Sequence, residues 1–152
     1  MPYTLNFHRV LKAPPARVYK AFLDPAALCK WLAPAGYTCT VHSLDAKVGG
    51  SFKMSFTEFD SGVSNSFGGK YLELVPHEKL VYTDVFDDPN LKGEIKVTVL
   101  LKKVMCGTDL TITQAGVPDM IPEEMCHMGW QDSLTQLEQF VEMGAPISDA
   151  IN

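Results

Sequence analysis

The chain predicts an α+β fold: a curved antiparallel sheet of about seven strands laid against one long C-terminal helix, with two short helices inserted after the first strand. Three observations carry that expectation. The run Ile121 to Val141 (IPEEMCHMGWQDSLTQLEQFV) is the one long helical pattern, and it comes last. Short alternating segments separated by turn residues fill most of the chain before it. Two short helical stretches, each opened by a proline, stand between the first alternating segment and the rest. A lone amphipathic helix after a meander needs an apolar surface to lie on, and the sheet is the one available. Such a helix either seals the sheet or leaves a cavity beneath it.

The elements follow in order. Tyr3, Leu5, Phe7, Arg9 and Leu11 alternate with Thr4, Asn6 and His8, giving a first strand with one mostly apolar face. Pro14-Pro15 ends it, and Val18, Tyr19, Phe22 and Leu23 recur at helical spacing. Asp24-Pro25 stops that helix and opens a second, with Asp24 as N-cap and Leu28, Trp31 and Leu32 on the apolar side. Tyr37 to Leu44 reads as a strand, Gly49-Gly50 as a turn, and Phe52, Met54 and Phe56 then alternate with Ser51, Lys53 and Ser55. Asp60-Ser61-Gly62 turns into a strand ending near Val75, where Gly68-Gly69 predicts a bulge or bend. Pro76-His77-Glu78 turns again, and Lys79 to Phe86 is strand-like before the Asp87-Asp88-Pro89-Asn90 turn. Ile95, Val97, Val99 and Leu101 face one way and Glu94, Lys96, Thr98 and Lys102 the other, the clearest half-buried strand in the chain. Cys106-Gly107-Thr108-Asp109 predicts a tight hairpin into Leu110 to Gln114. Residues 1–143 form a single domain on this reading, and 144–152, with Gly144 and Pro146, a loosely ordered tail.

Composition removes several classes of function. Lys plus Arg is 13 against 18 for Asp plus Glu, a net charge of −5, so a phosphate-backbone partner is disfavoured and no nucleic acid is expected. No stretch of about 18 apolar residues exists, so no membrane insertion is expected. The first residues alternate as a strand and lack the charged start and apolar run of a signal peptide. Cys29, Cys39, Cys106 and Cys126 show no Cys-x-x-Cys spacing, which points to reduced thiols in a cytoplasmic protein.

With that order established, the residues resemble the helix-grip superfamily known as START or SRPBCC, whose fold is also called Bet v-like, and more closely its AHSA-like branch, named after activators of a heat-shock chaperone ATPase. The matching features are Pro15-Ala16-Arg17-Val18-Tyr19-Lys20-Ala21-Phe22, Asp24-Pro25 with Leu28 and Trp31, Val48-Gly49-Gly50-Ser51-Phe52, Gly69-Lys70-Tyr71 and Pro76-His77-Glu78-Lys79-Leu80-Val81-Tyr82-Thr83. Val97-Thr98-Val99, Gly107-Thr108-Asp109-Leu110-Thr111 and Gly129-Trp130 with Ser133, Leu134 and Leu137 complete a series that runs unbroken along the chain. The resemblance implies a helix-grip fold. For function it implies a range, since such families include hydrophobic-ligand carriers, cyclases, co-chaperone domains and members of no known role. The co-chaperones of the group carry a separate chaperone-binding domain for which a chain of this length has no room, so a chaperone partner is disfavoured.

Candidate residues come from face and spacing. Trp130, Leu134, Leu137 and Val141 form the stripe of the last helix pressed on the sheet, and extending it backwards brings Cys126 or His127, then Glu123. Glu123 and His127 stand four residues apart on one face, either as a pair in which Glu123 orients His127 at a cavity mouth or as a solvated ion pair. On the first alternative, alanine at both positions weakens ligand binding. Phe52, Met54 and Phe56 share a strand face that ends in Glu58, and Tyr82 and Phe86 share one with Asp84. Glu58 and Asp84 are either strand-end groups reaching water or the few polar contacts of a pocket. Val97 and Val99 supply a third apolar face; Trp31, Met125 and Met128 either line a pliable entrance or pack the core, and packing is the better account of Trp31. Gly129 is expected where helix and sheet approach closely.

No His-x-x-x-His or Cys-x-x-Cys pair is present, and no metal or other cofactor is expected. There is no Gly-x-Ser-x-Gly elbow, and Cys126 reads as an inert thiol rather than a nucleophile. The expected function is binding of a small hydrophobic molecule between sheet and last helix. An enzyme of the same fold, such as a cyclase, hydrolase or dehydratase, and a protein-interaction domain are the alternatives. Homodimerisation is compatible with all three.

Overall fold

A computed structural model describes residues 2–143; the expected tail, 144–152, lies outside the described residues. The elements are β1 (Tyr3–Leu11), α1 (Pro15–Leu23), α2 (Pro25–Trp31), β2 (Tyr37–Leu44), β3 (Ser51–Glu58), β4 (Ser64–Val75), β5 (Lys79–Phe86), β6 (Ile95–Val104), β7 (Gly107–Val117) and α3 (Glu123–Met143). The strands form one seven-stranded sheet in the order β1-β7-β6-β5-β4-β3-β2. Every neighbouring pair is antiparallel. Sequential hairpins generate all of this order except one step. β1 pairs with β7, so the first and last strands meet at one edge of the sheet.

Local chemistry explains the helix boundaries. Pro15 stands in the first turn of α1, where its missing N–H costs nothing. Asp24 serves both short helices: its N–H closes α1 on the Lys20 carbonyl, and its side chain accepts from the Ala26 N–H at 3.0 Å to open α2. The last helix begins two residues later than its apolar pattern, at Glu123 rather than Ile121. Ile121 precedes Pro122, which steers it away from helical geometry. It closes a turn on Pro118 instead, and the Pro122 carbonyl accepts the first helical bond, from the Cys126 N–H.

Gly68 and Gly69 do not form a bulge. Both pair in unbroken register with Lys53 and Phe52. The irregularity lies further on, between Tyr71 and Glu73. The glycines instead permit close backbone approach: a Cβ at Gly69 would collide with the Thr83 carbonyl oxygen, and one at Gly68 with that of Phe52. The β6–β7 connection is also tighter than its turn residues suggest. Gly107 already pairs with Val104, leaving only Met105 and Cys106 as the loop.

The apolar faces of the strands form the core with α1, α2 and the later turns of α3. Leu5, Phe7 and Leu11 from β1, Leu110 and Ile112 from β7, and Ile95, Val97, Val99 and Leu101 from β6 are buried in it, together with Leu134, Leu137 and Val141 of α3. Trp31 is fully buried; its Nε1 donates to the Ala21 carbonyl at 2.9 Å and its ring packs edge-on to Phe22. Polar bonds anchor α3 on both sides. Ser133 and Gln136 donate to the carbonyls of Leu32 and Ala33, each at 2.6 Å, while Arg9 of β1 donates to the Gln131 side chain at 2.7 Å and pairs with Glu138 at 3.2 Å. These contacts hold the helix at a set rotation over the sheet, and that rotation determines which of its side chains face inward.

Candidate functional site

A pocket of about 180 Å³ lies between the concave face of the sheet and the first half of α3. Its floor is aromatic. Phe52, Met54 and Phe56 come from β3, Phe67 and Tyr71 from β4, and Tyr82 and Phe86 from β5. Side chains alternate across each strand, so every second residue of three adjacent strands reaches the same face. Pairing then stacks them laterally: Phe67 stands opposite Phe86, Tyr71 opposite Tyr82 and Met54 opposite Phe67. The rings meet edge-on or tilted, Phe56 to Phe67 at 4.8 Å, Phe52 to Tyr71 at 5.5 Å and Phe52 to Tyr82 at 5.8 Å. Phe22, Leu28, Leu32 and Pro34 close one end, and Cys126, Gly129, Trp130 and Ser133 of α3 form the roof.

Few polar groups face this space, and most are already engaged. The side-chain carbonyl of Gln114, from β7, accepts from Trp130 Nε1 at 2.9 Å and from Cys126 Sγ at 3.4 Å. Ser133 donates to Leu32, as described above. Asp84 differs. It keeps part of its surface toward the pocket, but its Oδ1 is shielded from water and finds no donor among the described residues. Burial without compensation raises its pKa from the ordinary 3.8 to about 7. Burial also raises the phenol pKa values of Tyr71 and Tyr82, the second further by the nearby Asp84 charge. The Cys126 thiol is pushed up by burial, although the Tyr3 hydroxyl beside it acts in the opposite direction. Cys126 therefore lacks the lowered pKa that marks a reactive thiol.

The candidates read from the sequence divide cleanly. Phe52, Met54, Phe56, Tyr82, Asp84 and Phe86 come together in the lining. Trp31, Val97 and Val99 are buried in the core and do not reach the pocket. Glu58 shares the strand parity of Phe56 but sits at the end of β3, where Ser61 and Tyr37 donate to it at 2.7 and 3.4 Å. Strand-end capture describes Glu58, whereas Asp84, one strand pair inward, faces the pocket. Glu123 and His127 are exposed on the outer flank of α3, and the His127 ring stacks on Phe7 at 5.2 Å. Position 127 is one residue, or about 100°, past the inward-facing Cys126. Met125 and Met128 are 65% and 60% exposed and lie outside the lining.

Gly129 is not a site of close helix–sheet approach, since a Cβ there would meet nothing nearer than the Pro34 side chain at 3.9 Å. Sequence reading missed Phe67, Tyr71 and Gln114. Parity held the signal for all three: Phe67 and Tyr71 alternate through Gly69, and Gln114 continues the inward series Leu110, Ile112. Among the described residues, no three His, Cys, Asp or Glu side chains are grouped as a metal ion would require.

A seven-stranded antiparallel sheet curled toward a long final helix, with two short helices after the first strand, is the helix-grip architecture of SRPBCC-type proteins. The chain belongs to the family described as activator of Hsp90 ATPase homolog 1-like protein, which matches it over residues 12–142. It is similar to the solved structure of protein CV1439 from Chromobacterium violaceum, with 56% identity over 93% of this chain and 99% of that one and a TM-score of 0.92. A protein from Rhodobacter sphaeroides (22% identity, 94% and 95% of the two chains, TM-score 0.82) and protein NE0264 from Nitrosomonas europaea (23%, 93% and 95%, TM-score 0.77) share the fold. All three are structural-genomics targets. No curated protein matches the chain.

Proposed function

We propose that this protein binds a small, largely apolar molecule in the pocket between β3–β5 and the first half of α3. The observation that carries the reading is the aromatic-lined space of about 180 Å³ between the sheet and the first half of α3. An engineered apolar cavity of about 150 Å³ is enough to take up benzene. A ligand with one aromatic ring would bury roughly 200 Å² of apolar surface here, by analogy with an aromatic side chain. At about 25 cal/mol per Å² that supplies about 5 kcal/mol, equivalent to a Kd below a millimolar before ordering costs. Affinity beyond this level would have to come from polar groups. The four cysteines stand unpaired, which supports a reducing, cytoplasmic setting.

The test has two parts. Native mass spectrometry of the purified protein, followed by denaturation, identifies any molecule carried through purification. Titration with toluene and ethylbenzene, followed by the fluorescence of the two tryptophans, of which Trp130 lies in the pocket roof, measures the site directly. Saturable changes that compete with one another support the reading. A flat response to both probes, together with a clean unliganded mass, overturns it.

A further inference from the structure

The buried, unpartnered Oδ1 of Asp84 specifies more than an apolar ligand. We infer that the pocket takes a small apolar amine, its ammonium nitrogen seated on the Asp84 carboxylate and its hydrocarbon body against the rings of Phe56, Phe67 and Phe86. This inference rests on the proposed ligand-binding function and names the ligand class for the same site.

Asp84 Oδ1 lies buried in the pocket wall with no donor among the described residues, an arrangement that costs stability unless a ligand repays it. A hydroxyl would supply one hydrogen bond. An ammonium supplies the bond and neutralises the buried charge as well. The surroundings suit a cation and provide none. The other titratable groups of the pocket lining are Tyr82 on the same strand, Tyr71 on β4 and Cys126 on α3, whose pKa values are all raised. From β7 only the uncharged Gln114 lines the pocket, and on β6 the register partner of Asp84 is the apolar Ile95. No Lys, Arg or His lies among the residues described in the lining. Ring faces of Tyr and Phe attract a cation within about 6 Å of their centres, most strongly where water is excluded. Among the described residues, the pocket's one buried polar side-chain atom without a hydrogen bond is thus a carboxylate oxygen, in a lining rich in aromatic rings.

The carboxylate must be ionised to hold a cation, which makes binding depend on pH. With a pKa of about 7, Asp84 is roughly one-tenth ionised at pH 6 and nine-tenths ionised at pH 8, so amine affinity rises about tenfold between them. A primary alkylamine stays protonated across that range, its pKa being about that of lysine, ~10. A neutral ligand accepting a hydrogen bond from the protonated acid would show the opposite slope.

Benzylamine, benzyl alcohol and toluene form the test set, titrated into the full chain at pH 6 and pH 8 by calorimetry. The expected result is benzylamine at least about tenfold tighter than benzyl alcohol at pH 8, with most of that margin gone at pH 6. Asp84→Asn should bring benzylamine down to the level of benzyl alcohol, with circular dichroism and thermal unfolding reporting that the variant is folded. The pH series on the unmutated protein stands independently of any variant. Toluene binding without preference for the amine, or an amine preference that survives Asp84→Asn, overturns the amine inference and leaves the apolar-ligand reading intact. If none of the three probes binds, both are overturned.

Discussion

The two halves of α3 meet the sheet in different ways. From Leu134 onward the helix presents Leu134, Leu137 and Val141, all fully buried in a core that includes the aliphatic faces of β1, β6 and β7. Before that point it presents Cys126, Gly129 and Ser133, with Trp130 alone as a large side chain, over the aromatic faces of β3, β4 and β5. Long aliphatic side chains fill the gap between helix and sheet; short ones leave it open. The sheet reinforces the contrast, since β6 contributes only aliphatic residues to the interior while β5 contributes a carboxylate. The later half of the helix therefore supplies close packing, and the earlier half leaves the space that the proposed ligand would occupy. Within one helix, the size of most inward-facing side chains separates the packed half from the open one.

The most direct way to break this comparison is to open the closed half. Leu137→Ala removes a fully buried side chain and should cost about 2–5 kcal/mol in urea unfolding. A cost below about 1 kcal/mol would mean that the later turns of α3 are not the closed seam described.

The next largest effect comes from the open half and has the opposite sign. Folded Asp84 holds its proton up to about pH 7, whereas an unfolded chain releases it near the ordinary 3.8. Between those values the folded state binds more protons, so stability falls as pH rises through the window, and the full cost is present above pH 7. Asp84→Asn removes that cost. It should stabilise the protein at pH 8 by up to roughly 4 kcal/mol, with a smaller gain at pH 5 that vanishes below the unfolded pKa. A destabilised variant at pH 8 would mean that the carboxylate has a partner in solution.

Gly129→Ala sharpens the contrast on the helix side. A helical glycine costs about 1 kcal/mol relative to alanine, and a Cβ at this position meets only Pro34 at an ordinary contact distance. The substitution should raise stability by up to about 1 kcal/mol and leave toluene binding within about threefold, while Gly129→Leu should fill the pocket and abolish that binding. A strongly destabilising alanine would restore the close-packing account of this glycine.

The smallest effect is expected on the outer flank. Glu123→Ala with His127→Ala should leave toluene affinity unchanged and cost no more than about 1 kcal/mol, the value of the ring contact between His127 and Phe7. A loss of affinity in the double variant would bring that flank into the site.

Much of this molecule is legible without coordinates, and the reason is local. Strand parity along Phe52, Met54, Phe56 and along Tyr82, Asp84, Phe86 depends only on the two-residue repeat of extended backbone. The same repeat would have yielded Phe67, Tyr71 and Gln114 had it been followed through Gly69 and past Ile112. The 4-3-4 spacing of Trp130, Leu134, Leu137 and Val141 likewise identifies the inward stripe of α3. Errors appear where two local rules compete or where an element ends. Pro122 overrode the apolar pattern at Ile121, and a pair of glycines suited close strand approach as readily as a bulge.

From the sequence alone come the order of elements, the faces of the strands and the family, because each depends on neighbours a few residues apart or on motifs in series. The tertiary structure alone decided that Cys126 and not His127 faces inward, since helix rotation is set by distant anchors such as Arg9 and Leu32. It also decided that Glu58 is captured at a strand end while Asp84 faces the pocket. That distinction arises from the curvature of the whole sheet and the position of the helix above it, and neither is encoded in any short run of residues.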